Sequence, residues 1–466
     1  MDNISRFIAD ASSWLWDWPL LILLFGTHIF LTCRLGFIQR YIGKAIRLSV
    51  THDKDSHGDV SQFSALATAL AATIGTGNIV GVATAIALGG PGAILWIWMT
   101  GILGIATKYA EGLLAVKYRT MRKDGSLAGG PMYYLQYGLK NKKLGKISGI
   151  LFAAFAALAA FGIGSSTQSN SIKDAVFTTF SLSSEVTVFG VIVETKILIG
   201  LALAIISGLV IIGGLKSIAR VSQNIVPFMA FFYIAGCLFI LITGYDTLFD
   251  TIKLIFHQAF SFKAAGGGTA GVIIMLAARY GVARGLFSNE SGLGSAAIVA
   301  AATRTRNPVR QALVSSSGTF WDTVVICALT GLTIVNTGAW ESGLTGFGLT
   351  QLAFSKIPFG GMIIGFSLVM FAFTTILGWS YYAEKSIEYL FGKKSVLPYK
   401  VAYLIMVFTG AVFSLDLIWN FADITNGLMA IPNLIALILL SGVVAAETKK
   451  YLKNIDGHSA DKIINH

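Results

Sequence analysis

Apolar stretches of about 20 residues or more recur along the whole chain, and nothing constrains its fold more. Inside lipid every backbone N–H and C=O must be satisfied within its own segment, so each such stretch reads as a crossing helix. A leading span covers about 15–37. Ten more follow, near 61–88, 92–117, 147–180, 195–216, 224–244, 266–303, 309–337, 360–391, 399–418 and 425–447. Two of them, 147–180 and 266–303, are too long for one straight crossing, so each is expected to contain a break or to extend beyond the bilayer. With 55% hydrophobic and 12% charged residues, the chain carries about half the charge of a soluble domain. The predicted fold class is therefore an all-α polytopic membrane protein with about 11 transmembrane helices.

The net charge of +12 is explained by topology rather than by nucleic acid, since the bases lie between apolar spans and no basic cluster is interleaved with aromatics. If every span crosses once, the basic loops all fall on one side: Arg34 to Arg47, Lys117 to Lys146, Lys216 and Arg220, Arg304 to Arg310, Lys393 to Lys400, and Lys449 to Lys453. The opposite loops hold mostly acids or single bases, among them Asp246, Asp250, Glu341 and Asp416. The positive-inside rule makes the basic side cytoplasmic, with the N-terminus outside and the C-terminus inside the cell (inner, plasma) membrane. The first apolar segment lacks a basic leader and a cleavage site, so it reads as a retained helix. Cys33, Cys237 and Cys327 have no metal-ligand spacing and imply no disulfide framework. His28, alone in a span, reads as a packed, hydrogen-bonded residue.

One span is interrupted at its centre. Ala71-Ala72-Thr73-Ile74-Gly75-Thr76-Gly77-Asn78 sets glycines and polar side chains at membrane depth. A weakened helix survives there only where it lines a cavity or binds something. A second candidate break lies in 266–303, around Gly281–Gly292. Arg284 and Glu290 are six residues apart there and cannot share one face of an unbroken helix. Breaks in the first and sixth of the ten core helices point to an inverted repeat with a central site. The predicted organisation is an extra helix and cytoplasmic loop (1–60), a first five-helix repeat (61–245), an extracellular connection (246–264), a second repeat (265–450) and a cytoplasmic tail (451–466).

Four ordered blocks carry a resemblance. The first runs from Ala72 to Trp98 through Gly75-Thr76-Gly77-Asn78 and Gly89-Gly90-Pro91-Gly92-Ala93-Ile94-Leu95-Trp96-Ile97-Trp98. The others are Gly129-Gly130-Pro131-Met132-Tyr133-Tyr134, Arg284 to Ser295, and Thr374 to Tyr382. Over essentially its whole length the chain resembles the alanine/glycine:cation symporter family. Leu95 and Ile97 stand where the family usually has Phe and Met, and Ser291 where Ala is common; no polar position is touched. The resemblance implies a leucine-transporter-like 5+5 inverted repeat preceded by one extra helix. It also implies sodium- or proton-coupled uptake of a small neutral amino acid: alanine or glycine first, glutamine as the alternative.

Thr374 and Thr375 follow Phe371 by three and four residues, which brings both hydroxyls and the Phe371 carbonyl to one face. In leucine-transporter-like proteins a sodium ion lies between this segment and the first core helix, and the resemblance aligns Ala71 and Ile74 with its carbonyl ligands. The expected sodium site is thus Ala71, Ile74, Phe371, Thr374 and Thr375, against the plainer alternative of threonines bonded to their own helix. A zwitterionic substrate wants N–H groups for its carboxylate, which Gly75, Thr76 and Gly77 offer with little side chain in the way. Gln168, in a polar patch of the third core helix, is the expected direct contact, and Trp379 a wall that limits side-chain size. Asn78 and Thr73 are candidates for a second sodium or for contacts around the carboxylate. Asp322, Arg279, Arg284 and Glu290 are costly at this depth and stand as coupling or structural charges. Asp322 is expected to pair with Arg279 or Arg284, ahead of binding a cation directly or carrying a proton. Lys108 and Glu111 read as a local pair near the cytoplasmic end, with no transport role.

A symporter needs no cofactor beyond the co-transported ion. One sodium ion falling through 100 mV gains about 2.3 kcal/mol and a tenfold gradient adds about 1.4, enough for several-hundred-fold accumulation. No Gly-x-x-x-x-Gly-Lys-Ser/Thr run is present. A channel or facilitator is a competing class, although paired breaks fit alternating access better than a filter. A membrane enzyme would need a metal-spaced His/Glu cluster or a nucleophile–base pair in the spans, and His-Glu-x-x-His is absent. The expected partners are sodium (or a proton), a small neutral amino acid and the bilayer; oligomeric state is not legible.

Overall fold

The computed structural model describes residues 2–16, 18–51, 59–122, 125–188, 190–260, 270–413 and 416–456. The tail beyond 456, the end of the 246–264 connection, the start of the 266–303 span and the Asp416 side chain lie outside the described residues.

The chain is helical almost throughout. An amphipathic helix α1 (Asp2–Leu15) leads into α2 (Trp18–Arg34), and α3 (Ile42–Ser49) lies in the following basic loop. The first core segment consists of α4 (Gln62–Thr73), a break, a wide π turn over Gly77–Gly81, and α5 (Val82–Gly89). Its two halves meet at 50°. Then come α6 (Ala93–Lys117), α7 (Pro131–Gly138) and α8 (Lys142–Phe161), which runs through a second π turn (Gly162–Ser166) into α9 (Thr167–Phe180). After α10 (Thr195–Ile212) and α11 (Gly214–Thr243), helix α12 (Tyr245–Phe260) occupies the predicted connection. The segment from 270 is α13 (Ala270–Asn289), a break, and α14 (Ser295–Ala300). Next, α15 (Pro308–Thr319) passes through a third π turn (Phe320–Cys327) into α16 (Ala328–Asn336). The remainder is α17 (Gly346–Phe354), α18 (Gly360–Phe391), α19 (Val396–Val412), α20 (Asp416–Leu439) and α21 (Ser441–Asp456). The only strands among the described residues form two hairpins outside the spans, β1 (Thr120–Met121) with β2 (Leu127–Ala128) and β3 (Glu185–Val188) with β4 (Val191–Glu194).

Among the described residues nine helices are long and apolar enough to cross a membrane, ten with the bent α4–α5 pair. The remaining predicted segment, 266–303, is described from residue 270 onward, as the broken α13–α14 unit. The overlong 147–180 segment is one 39-residue helix from Lys142 to Phe180 that widens at Gly162–Ser166 instead of breaking.

Local sequence starts the helices. Ser61 accepts the Ser64 amide at the head of α4, Asn141 accepts Leu144 at α8, and Asn307 accepts Val309 and Arg310 ahead of Pro308 at α15. The interior holds large rings, with Tyr109, Phe152, Phe371, Trp379 and Tyr382 fully buried. The outside of α10 and α11 is apolar instead: Leu209 is 75% and Phe231 74% exposed, as lipid contact requires. At the centre the first core segment packs against α11, α13, α15 and α18, while α6 braces α13 and α15.

Candidate functional site

The first break begins where α4 stops. Ile74 turns extended (ψ 91°) and its N–H still reaches Leu70 O, but the ladder then fails. The Gly75 N–H, which would have served Ala71 O, is taken by Asn78 Oδ1 at 2.8 Å. The Asn78 N–H, which would have served Ile74 O, goes to Gly75 O. Asn78 therefore frees two carbonyls by occupying their partners. Those carbonyls face α18, where Thr375 Oγ1 lies 3.1 Å from Ala71 O, 3.4 Å from Ile74 O and 3.0 Å from Phe371 O. Thr374 Oγ1 lies 3.0 Å from the same Phe371 O. The Thr375 hydroxyl has one proton for three carbonyls, so oxygen is in excess. Both threonine hydroxyls also bond back to the Phe371 carbonyl of their own helix, the plainer alternative for these residues. All five predicted sodium ligands converge here.

The predicted substrate residues lie just beyond. The Thr76 N–H points at Gln168 Oε1 (3.3 Å), and Gln168 Nε2 donates to Ile163 O (2.9 Å) where α8 widens. Gly75 has no room for a side chain: a Cβ there would run into the Thr375 hydroxyl and sit 3.3 Å from Gln168 Oε1. The Thr76 hydroxyl is buried without a protein partner. Gly77 abuts Phe287 and Ser288 of α13, so the two broken segments touch. Thr73 is not part of this group; its hydroxyl is 3.5 Å from Leu70 O, and it lines a small void beside Lys108 and Glu111.

The second break spans residues 290–294, at the end of the predicted interval. Glu290, Gly292 and Gly294 have φ of 55°, 94° and 83°, left-handed values that glycine adopts without penalty and glutamate does not. Glu290 is held from both sides: Oε1 accepts Trp379 Nε1 at 2.8 Å, and Oε2 accepts the Ser295 hydroxyl. Trp379 is accordingly buried against Gly164 and Tyr382.

Asp322 corrects one expectation. Its carboxylate pairs with neither Arg279 nor Arg284. Oδ1 accepts Asn78 Nδ2 at 2.8 Å, and Oδ2 accepts Ser288 Oγ at 2.9 Å and Thr323 Oγ1 at 2.7 Å. One acid thus joins the two breaks through neutral donors. The arginines face a separate cavity of about 210 Å³ with Ser12, Trp16, Phe287 and Asp423.

Lys108 and Glu111 are the residues that sequence reasoning misplaced. They are 3% and 0% exposed. Lys108 Nζ donates to Asn289 O (2.8 Å), while Glu111 Oε1 accepts the N–H groups of Gly292 (2.9 Å) and Gly294 (3.0 Å) and Asn433 Nδ2 (2.8 Å). The available signal was depth. Lys108 lies nine residues before the end of α6, about 13 Å from the helix terminus, too deep for a loop-side pair.

The sodium:alanine symporter family matches residues 1–465. The chain belongs to that family. The sodium/alanine symporter AgcS of Methanococcus maripaludis is 50% identical to this family member over 97% of this chain and 98% of its own. The probable sodium/glutamine symporter GlnT of Bacillus subtilis is 36% identical over 97% of this chain and 91% of its own. Among solved structures, MhsT in complex with L-phenylalanine superposes with a TM-score of 0.56 at 14% identity, covering 84% of this chain and 98% of that one. That likeness concerns the fold alone. As a member of the sodium:alanine symporter family, the protein is a multi-pass membrane transporter and not an enzyme.

Proposed function

We propose that this protein is a secondary active symporter that couples sodium entry to uptake of a small neutral amino acid, alanine or glycine, by alternating access. The observation that carries the reading is the oxygen cluster between α4 and α18. Ala71, Ile74 and Phe371 carbonyls crowd one threonine hydroxyl, with a second beside it. Sodium binding there ties the first helix break to α18, so the ion and the local shape of the break are coupled. The amino-acid carboxylate takes the amides at Gly75, Thr76 and Gly77, displacing the weak Thr76–Gln168 contact, and Gln168 then turns to the substrate. Asn78 and Asp322, hydrogen-bonded to each other, with Ser288 donating to Asp322, form the second candidate cation position.

The same reading arranges the chain as two inverted five-helix halves, 61–245 and 265–450. The breaks at 74–76 and 290–294 occupy equivalent helices, the N-terminus is outside and the C-terminus is cytoplasmic. The mutual contact of the two breaks at Gly77 and Ser288 supports this, as do the basic loops on one side. The likeness to the sodium/alanine symporter AgcS favours alanine, and that to the probable sodium/glutamine symporter GlnT keeps glutamine as the alternative substrate.

The test is uptake of labelled alanine, glycine and glutamine into proteoliposomes, with an inward sodium gradient imposed or absent. Sodium-dependent accumulation of alanine or glycine above equilibrium supports the reading. Accumulation of glutamine alone moves the substrate to the alternative. Equal flux with and without the gradient replaces symport with facilitated passage.

A further inference from the structure

We propose that Lys108 and Glu111 are positioning residues for transport, a clamp on α6 that fixes the second helix break in the shape that presents Ser288 and Glu290 to the centre of the protein. The proposal rests on the symport reading for its functional half and on geometry alone for its structural half. A break at membrane depth leaves main-chain donors and acceptors that no water can satisfy. Here one helical turn of α6 supplies both kinds of partner. The ammonium of Lys108 meets the carbonyl that α13 leaves free at Asn289, and one carboxylate oxygen of Glu111 meets the freed amides of Gly292 and Gly294. The i,i+3 spacing puts the two charges on one face of α6, so they neutralise each other while each serves its own end of the break. Asn433 adds a third donor to the same Glu111 oxygen and also donates to Gly292 O, which ties α20 into the clamp.

The residues between these anchors do the transmitting. Ser288 precedes Asn289 and donates to Asp322. Asp322 accepts Asn78, and Asn78 accepts the Gly75 amide. From Asn289, held by Lys108, one peptide bond leads to Ser288, and hydrogen bonds then run through Asp322 and Asn78 to the Gly75 amide, one of those assigned to the substrate carboxylate. The Asn78–Gly75 bond also frees the Ala71 carbonyl, but the Ile74, Phe371, Thr374 and Thr375 oxygens of the same cluster make no hydrogen bond to the clamp, to Asp322 or to the Asn78 side chain. Loosening the clamp should therefore weaken amino-acid binding well beyond sodium binding at the α4–α18 cluster, whereas an ion pair that only stabilises the fold would lower both together.

The experiment compares the full-length protein with Glu111→Gln and Lys108→Met. Three quantities are read: amide hydrogen exchange across 289–295, binding of labelled sodium without amino acid, and the alanine concentration for half-maximal binding. For Glu111→Gln, loss of charge-assisted bonds is expected to speed exchange across 289–295 and weaken alanine binding, each by about tenfold or more, with sodium binding within twofold of wild type. Unchanged exchange overturns the clamp. Alanine and sodium affinity falling in parallel overturns its positioning role. Should Glu111→Gln fail to fold, Asn433→Ala removes one donor from the same oxygen without removing a charge, and the same sparing of sodium is expected. A wild-type protein that binds none of the candidate amino acids refutes the symport reading, while the exchange result still decides whether the clamp exists.

Discussion

Replacing Thr375 by valine keeps the β-branched shape and removes one atom from the oxygen cluster. That atom lies within 3.4 Å of three main-chain carbonyls, on two helices that touch at this point. If the cluster holds sodium, the loss is one of five oxygen ligands. By analogy with a hydrogen bond to a charged group, it costs about 1.5–3 kcal/mol, or about 10- to 150-fold in sodium affinity. If the hydroxyl only hydrogen-bonds between helices, the loss is a neutral bond worth about 1 kcal/mol of stability, and sodium affinity stays put. Thr375→Ser restores the oxygen at the expense of a methyl group and should return affinity to within a few-fold of wild type. The assay is the sodium dependence of alanine uptake in proteoliposomes, paired with direct binding of labelled sodium and a thermal melt. A valine variant with wild-type sodium dependence and a lowered melting temperature refutes the ion site.

Gln168→Ala removes the acceptor facing the Thr76 amide and should raise the half-saturating alanine concentration about tenfold with little change in melting temperature; unaltered affinity makes the residue a helix-packing element. Trp379→Phe deletes the Nε1 donor to Glu290 and leaves a buried carboxylate oxygen short of a partner, for a loss of about 1–3 kcal/mol in stability. A thermal melt with and without sodium measures it, and an unshifted melting temperature would mean that the bond is replaced by another donor.

Much of the site was legible because it lies close in sequence. Two glycines and an asparagine inside eight residues announce a broken membrane helix, and two threonines three and four residues after Phe371 announce an oxygen face. The second break was expected around Gly281–Gly292, between Arg284 and Glu290; α13 instead runs unbroken past Arg284 to Asn289, and the break at 290–294 overlaps only the end of that interval. What escaped was joined across the chain. Lys108 and Glu111 meet partners about 180 residues away, and nothing local distinguishes that from an ordinary pair within one helix. Asp322 finds amide and hydroxyl donors in preference to a guanidinium, because the arginines of α13 face a different cavity, lined also by Trp16 and Asp423. Helices α12 and α17 run between spans, where a reading keyed to span-length apolar stretches does not register them.

The three π turns give these helices a phase that a plain α-helix lacks. Each wide turn holds one residue more than an α turn, so every side chain beyond it is rotated by about 100° from where an uninterrupted helix would carry it. Gln168 follows the turn at Gly162–Ser166, Asp322 lies within the one at Phe320–Cys327, and Asn78 within the one at Gly77–Gly81. Deleting a single residue from Gly162–Ser166 would let α8 and α9 close into one regular helix. Length, hydropathy and composition would change by a single residue, yet Gln168 would swing about a quarter turn away from Thr76. In these helices the aim of a side chain is set by a count of residues as much as by their identity.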